Sequence, residues 1–152
     1  MASIEELYQD IILEHNRQPR NFGSLPDQTH SADGLNPLCG DQIKVSLILD
    51  GSQITKIHFE GQGCAISKAS ASILTEALAG KTVTEARGMA RKVIEAFLPH
   101  GDDLILEKDG EVAALLGVRQ FPARIKCATL AWHALVCALD GDGSISTETD
   151  KG

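Results

Sequence analysis

Residues 38–64 read LCGDQIKVSLILDGSQITKIHFEGQGC, and the fold turns on them. Ile43, Val45, Leu47 and Leu49 alternate with Lys44, Ser46 and Asp50, the period of two that marks a half-buried strand. Asp50-Gly51 supplies a tight hairpin turn, and residues 54–60 form the return strand with Ile57 and Phe59 on one face. Before the first of these strands, at one chain end of the hairpin, stands a turn carrying Cys39 and Asp41. At the other, Gly61-Gln62-Gly63 stops the strand and Cys64 opens a helix.

The flanks supply helices. Ser3 and Glu6 make a capping box, and Ile4, Leu7, Tyr8, Ile11 and Ile12 repeat at helical spacing until Pro19 forbids continuation. The exit RQPRNFG (17–23) reads as a solvated basic loop, and residues 24–38 as loop with one short edge strand near 29–32. Ile66, Ala69, Ile73, Ala77 and Leu78 define the helix after Cys64, and Gly80 ends it. A second capping box, Thr82 with Glu85, opens a helix that Pro99 stops. Residues 100–110 read as an exposed loop or weak hairpin, and 111–116 as one or two helical turns. The last helix begins at Phe121-Pro122, with Ile125, Ala128, Trp132, Leu135, Val136 and Leu139 as its buried stripe. The expected architecture is α+β: a small three-stranded antiparallel sheet packed against a block of helices. Residues 1–139 form the expected single domain, and 140–152 a disordered tail without apolar period.

Composition narrows the function. A net charge of −7 disfavours a nucleic-acid groove, which needs a basic face. No apolar run approaches the roughly 20 residues that span a bilayer, and MASIEELYQD lacks the apolar block of a signal peptide. A cytoplasmic protein is expected, where four cysteines serve metal or thiol chemistry rather than disulfides.

Each cysteine taken alone is more often packing than ligand, so position decides. Cys39 lies on a polar turn with little apolar surface to bury it. Cys64 lies at a helix N-terminus, where free amides and the macrodipole favour a thiolate. Cys127 points roughly 145° from the centre of its helix's apolar stripe, at 100° per residue, and so off the main core face. Cys137 lies deep in the same helix and reads as structural. Asp41, two positions from Cys39, falls on the same side of an extended segment. Three sulfurs and one oxygen suit tetrahedral zinc, or iron with one exchangeable ligand. Arg124 and Lys126 flank Cys127 and would steady a thiolate. The five histidines show no ligand partner in sequence and read as solvated. The tail lacks the glycine and following helix of a calcium loop, and no deaminase, Walker or dinucleotide motif occurs.

The segments EHNRQPRNFG (14–23), NPLCGDQIKV (36–45), GQGCAISKASASIL (61–74) and FPARIKCATLAW (121–132) carry a resemblance. Through them the chain resembles the U-type iron–sulfur cluster assembly proteins, the family of IscU, SufU and the N-terminal domain of NifU. It looks more like SufU: Lys126 stands where IscU-type chains have histidine, and residues 100–118 look like a SufU-type insert. The resemblance implies a SufE/NifU-like fold and zinc on Cys39, Asp41, Cys64 and Cys127. It also implies that a SufS-like cysteine desulfurase displaces Cys39 and transfers persulfide sulfur to it, for passage to downstream assembly or acceptor proteins. The protein would then be an acceptor acting with the desulfurase rather than a stand-alone enzyme. The alternatives are a scaffold that builds and delivers a transient [2Fe-2S] cluster, and a structural zinc module that only binds partners.

Overall fold

A computed structural model describes residues 3–99 and 101–148. Helix α1 (Ile4–Arg17) is followed by strands β1 (His30–Asn36), β2 (Asp41–Asp50) and β3 (Gln53–Gln62). Helices α2 (Ala65–Leu78), α3 (Val83–Ala96) and the short α4 (Leu106–Asp109) come next. Two 3₁₀ segments, Gly110–Gln120 and Pro122–Arg124, lead into α5 (Ile125–Leu139), and β4 (Ser144–Ser146) closes the order. The class is α+β, as expected.

Both capping boxes form: Ser3 and Thr82 accept from the backbone of Glu6 and Glu85, whose side chains reach back to the cap N–H groups. The β2–β3 hairpin is antiparallel and closes on Gly51-Ser52. Ile43, Val45 and Leu47 are buried, as their alternation requires. A register shift beside Ile48 and Leu49 skips Thr55 on β3. This bulge turns Ile54 inward as well as Ile57 and Phe59, which strict alternation would not allow.

The sheet has four strands, in the order β3-β2-β1-β4, rather than three. The added strand is β4, parallel to β1 with Ile145 opposite Gly34. Residues 140–148 are therefore not the structureless tail that their composition suggests. Ile145 packs on the main core, and Thr147 N–H donates to Leu35 O at 2.9 Å. One apolar residue and a few backbone bonds suffice here, because β1 leaves a side free. The remaining tail, 149–152, lies outside the described residues, as does His100.

Helix α5 is the hub, packed on β1, β2, β4, α2 and α3. It is buried almost all round: Cys127, Thr129, Leu130, Ala131, Ala134, Cys137 and Ala138 join Ala128, Trp132 and Leu135 inside. The expected stripe was too narrow because this helix meets elements on several sides. The close packing of α2 on α1 and α5 uses small hydroxyl residues. Ser70 Oγ donates to Ala128 O at 2.5 Å and accepts from Trp132 Nε1 at 3.0 Å.

The segment 17–23, expected as a solvated loop, is tied down instead. Arg20 N–H donates to Ser72 Oγ at 2.8 Å, and that hydroxyl lies 2.7 Å from His15 Nδ1. His15 Nε2 lies 2.7 Å from Glu111 Oε1, so both ring nitrogens of this fully buried histidine are engaged. His15 is thus interior, contrary to its reading as solvated. Asn21, at φ 56°, donates through Nδ2 to Thr75 Oγ1 at 3.0 Å. Gly23 N–H donates to Phe59 O at 2.8 Å, and Phe59 N–H to Asn21 O at 3.0 Å. The Phe22 and Phe59 rings meet edge-on at 5.2 Å.

After α3, residues 101–105 form the loop expected there, largely exposed although Leu104 turns inward, and α4 follows. Leu104, Val112, Ala113 and Leu115 join the core. Asp109 anchors them, accepting from Lys92 Nζ at 2.6 Å and Ile105 N–H at 2.7 Å. Burial alone would raise the Asp109 carboxyl, but those bonds and the Lys92 charge outweigh it and hold it below the ordinary 3.8. A depressed folded value stabilises the fold above the unfolded value, and that contribution is lost as pH falls through the folded one. Lys92→Met, which strands the carboxylate, should cost about 1–3 kcal/mol at pH 7 in urea unfolding. The gap from wild type should close as pH drops below about 4.

Candidate metal centre

Cys39 is carried by the four-residue loop between β1 and β2, whose last and first residues, Asn36 and Asp41, are partners in the ladder. Cys39 N–H donates to Asn36 O at 3.2 Å, and Gly40 takes φ 72°, a left-handed conformation that glycine adopts freely. Cys39 and Asp41 therefore converge through a turn, not through the extended i, i+2 geometry expected from spacing. Leu38 beside them is 74% exposed.

Asp41 is buried and fully engaged. Its Oδ1 accepts from Cys64 N–H at 2.8 Å and from Ser67 Oγ at 3.2 Å, and its Oδ2 from Asn36 Nδ2 at 3.2 Å. The helix α2 N-terminus thus offers a backbone donor and a hydroxyl to the carboxylate. Gly63 leaves the room for this: a Cβ there would lie 2.5 Å from Asp41 Oδ1 and 2.6 Å from Ser67 Oγ.

Cys127 lies in the first turn of α5, off the main core cluster as expected, yet fully buried. It faces the end of the sheet, where Asn36 Nδ2 reaches its Sγ at 3.5 Å. The sulfurs of Cys39 and Cys127 and a carboxylate oxygen of Asp41 all lie within 4.8 Å of one another. Burial pushes the Cys127 thiol well above its ordinary value, and the adjacent Asp41, Cys39 and Cys64 push it further. Two thiols and a carboxylate this close repel one another when ionised. A divalent cation would fit such a donor set, and zinc matches these donor types.

Cys64 adjoins Cys127 but is not part of that trio. It is the N-cap of α2, and its Sγ accepts from Ser67 N–H at 3.5 Å. It borders the centre through its backbone, and its sulfur is not within 4.8 Å of all three other donors. To serve as a fourth donor, it would exchange its cap bond for the ion.

The two flanking cations behave differently. Arg124 Nη1 lies 3.9 Å from Cys39 Sγ, and hydrogen bonding to Cys127 together with the charges of Cys64, Cys39 and Cys127 raises its affinity for its proton. Lys126 turns away and pairs with Glu148 Oε2 at 2.7 Å. Cys137 Sγ donates to Ser144 O at 3.3 Å, in keeping with its structural reading.

Asn36 and Ser67 were quoted in the sequence segments above but given no role there, and Gly63 only that of a strand stop. The hairpin spacing signals Asn36, since a four-residue loop sets it opposite Asp41. Ser67 sits three residues after the N-cap, where a side chain can reach back to the helix start. Thr147, which donates to Asn36 Oδ1 at 3.0 Å, carried no signal at all. His15, Glu76 and Glu111 also approach within 4.8 Å of one another. The engaged ring nitrogens of His15 leave that group a structural junction. No described helix is long and apolar enough to cross a membrane.

Comparison with known proteins identifies the family. The family of NifU-like N-terminal domains matches residues 7–140. The zinc-dependent sulfurtransferase SufU of Bacillus subtilis (strain 168) is 44% identical over 135 residues, 88% of this chain and 90% of that protein. The iron–sulfur cluster assembly scaffold protein IscU of Streptococcus pyogenes serotype M1 is 36% identical over 99% of this chain and 94% of its own length. A crystal structure from Fervidobacterium islandicum AW-1, described as an iron–sulfur cluster assembly scaffold protein for the SUF system, superposes with a TM-score of 0.80. It is 29% identical and covers 90% of this chain and 99% of its own. From fold, site and sequence together, the chain belongs to the NifU-like N-terminal domain family, alongside the SufU and IscU proteins.

Proposed function

We propose that this protein takes part in iron–sulfur cluster biogenesis as a zinc-dependent sulfur acceptor, with Cys39 receiving sulfur from a SufS-like cysteine desulfurase. The observation that carries the reading is the clustering of Cys39, Asp41 and Cys127 donor atoms within 4.8 Å at the open end of the sheet. Its support from relatives is the zinc-dependent sulfurtransferase SufU at 44% identity. Asp41, Cys127 and, after leaving its cap, Cys64 would hold the ion with Cys39. Zinc supplies a positive charge that keeps thiols as thiolates at neutral pH.

The chain's own residues divide the labour. Asp41 and Cys127 are buried and receive hydrogen bonds from Asn36, while Cys39 is only partly buried on a loop. Cys39 is thus the thiol a partner can reach. Its thiolate attacks the outer sulfur of a persulfide on the desulfurase cysteine. A new S–S bond forms at Cys39 Sγ, the bond to the desulfurase cysteine breaks, and that cysteine leaves as a thiolate. Arg124, 3.9 Å from Cys39 Sγ, favours the attacking anion and the persulfide that replaces it.

A second reading, a scaffold for a transient [2Fe-2S] cluster passed to acceptor proteins, draws on the IscU relative at 36% identity. Lys126, paired with Glu148, offers no ligand to such a cluster. Anaerobic purification discriminates the two. A colourless protein with one tight zinc that refuses iron and sulfide excludes the scaffold, whereas visible absorbance after reconstitution supports it.

Adding the protein should raise turnover of a SufS-like desulfurase, read as alanine release, and Cys39→Ala should abolish the rise; unchanged turnover with wild type would sink the acceptor reading. Gly63→Ala, whose methyl would displace Asp41 or Ser67, should weaken zinc binding by about 10–100-fold in chelator competition, because it disturbs the groups that orient a ligand.

A further inference from the structure

Residues 140–148 form a strap that leaves α5 and returns along the sheet. Asp140 Oδ1 pairs with Arg87 Nη1 at 2.7 Å, and Asp142 N–H donates to Cys137 O at 2.9 Å. In the parallel pairing of β4 with β1, Ser146 lies opposite Leu35. The next residue on each side is Thr147 and Asn36, so the register itself delivers Thr147 to Asn36.

Thr147 Oγ1 lies 3.0 Å from Asn36 Oδ1, an oxygen that can only accept. The hydroxyl has one proton and a competing acceptor, Glu148 Oε2, at 3.1 Å. Lys126 Nζ already donates to that carboxylate oxygen at 2.7 Å, whereas Asn36 is 1% exposed and has no water to turn to. Turned to Glu148, the proton would leave the buried Asn36 oxygen without a donor, so it is assigned to Asn36. With its oxygen held, the amide must aim Nδ2 the other way, and one N–H meets Asp41 Oδ2 while the other meets Cys127 Sγ. A single amide thus touches two donors of the centre, one from β2 and one from α5.

We infer that Asn36 is a positioning residue for the metal centre and that Thr147, on the C-terminal strap, sets its orientation. The inference rests on the metal-binding reading proposed above. Fixed amide donors hold the Asp41 oxygen and the Cys127 sulfur in place and spread their charge, which is how groups behind a ligand tune a site. Cys39 receives no such donor from Asn36; its sulfur accepts instead from the exposed Arg124 Nη1 at 3.9 Å. The strap therefore secures two donors and leaves the third free to depart.

The test is zinc affinity by competition with a chromogenic chelator, beside the melting temperature of each metal-free protein. Thr147→Val should lose about two- to tenfold in affinity, the worth of one hydrogen bond, with an unchanged metal-free melting temperature. Thr147→Ser, which keeps the hydroxyl, should recover wild-type affinity. Asn36→Ala should lose about 10–100-fold; should it not fold, the Thr147 pair decides. Wild-type affinity in Thr147→Val overturns the inference, as does a lowered metal-free melting temperature without change in affinity. Asp41→Ala separates the two readings: if it loses zinc while the Asn36 and Thr147 variants keep it, the metal site stands and the strap's role falls. Wild-type protein that takes up no zinc overturns both.

Discussion

The structure depends on a buried carboxylate at the meeting point of a strand and a helix start. Asp41 accepts from the Cys64 amide, the Ser67 hydroxyl and the Asn36 side chain. Losing any of these donors would leave a charge in the interior with too few partners, at a cost of about 1–3 kcal/mol or more. The three donors come from the start of α2 and the end of β1, so satisfying Asp41 also docks helix on sheet. Cys64 is drawn to the centre by its own backbone. Cys127 arrives by a separate route, through the packing of α5 on β1 and β2.

That packing is possible because the interfaces of α2 are lined by small polar residues. Ser67, Ser70, Ser72 and Thr75 are all fully buried, yet each finds a bond. Serine lets helices approach closely, and each hydroxyl repays its burial through a backbone or side-chain partner. Among the described residues no buried side-chain polar atom is left unpaired. The same network absorbs His15, which joins α1 to α2 and to the 3₁₀ segment Gly110–Gln120.

Much of this was legible in the chain. Capping boxes, alternation and glycine stops placed the helices and the central hairpin, because each is a local signal with a local cause. The candidate donors were legible by type. Their geometry was less so, since Cys127 was judged against one apolar stripe when α5 is enclosed on several sides. What sequence hid were contacts between distant segments. Nothing local to RNFG says that it will dock on β3, and nothing in DGDGSIST says that Ile145 and Thr147 will find β1. His15 looked like any polar residue at a helix end until Ser72 and Glu111 closed over it.

The docking of residues 21–23 on β3 and of β4 on β1 has a consequence for assembly. A strand with an open flank invites another chain to extend the sheet. Here Asn21 and Gly23 occupy backbone groups of Phe59 on one outer strand, and a three-residue strand caps the other. Neither flank offers a long, flat row of free amides. At the loop end, by contrast, the Leu38 side chain stands exposed beside Cys39. Self-association into fibres is discouraged by the same two segments that looked like loop and tail.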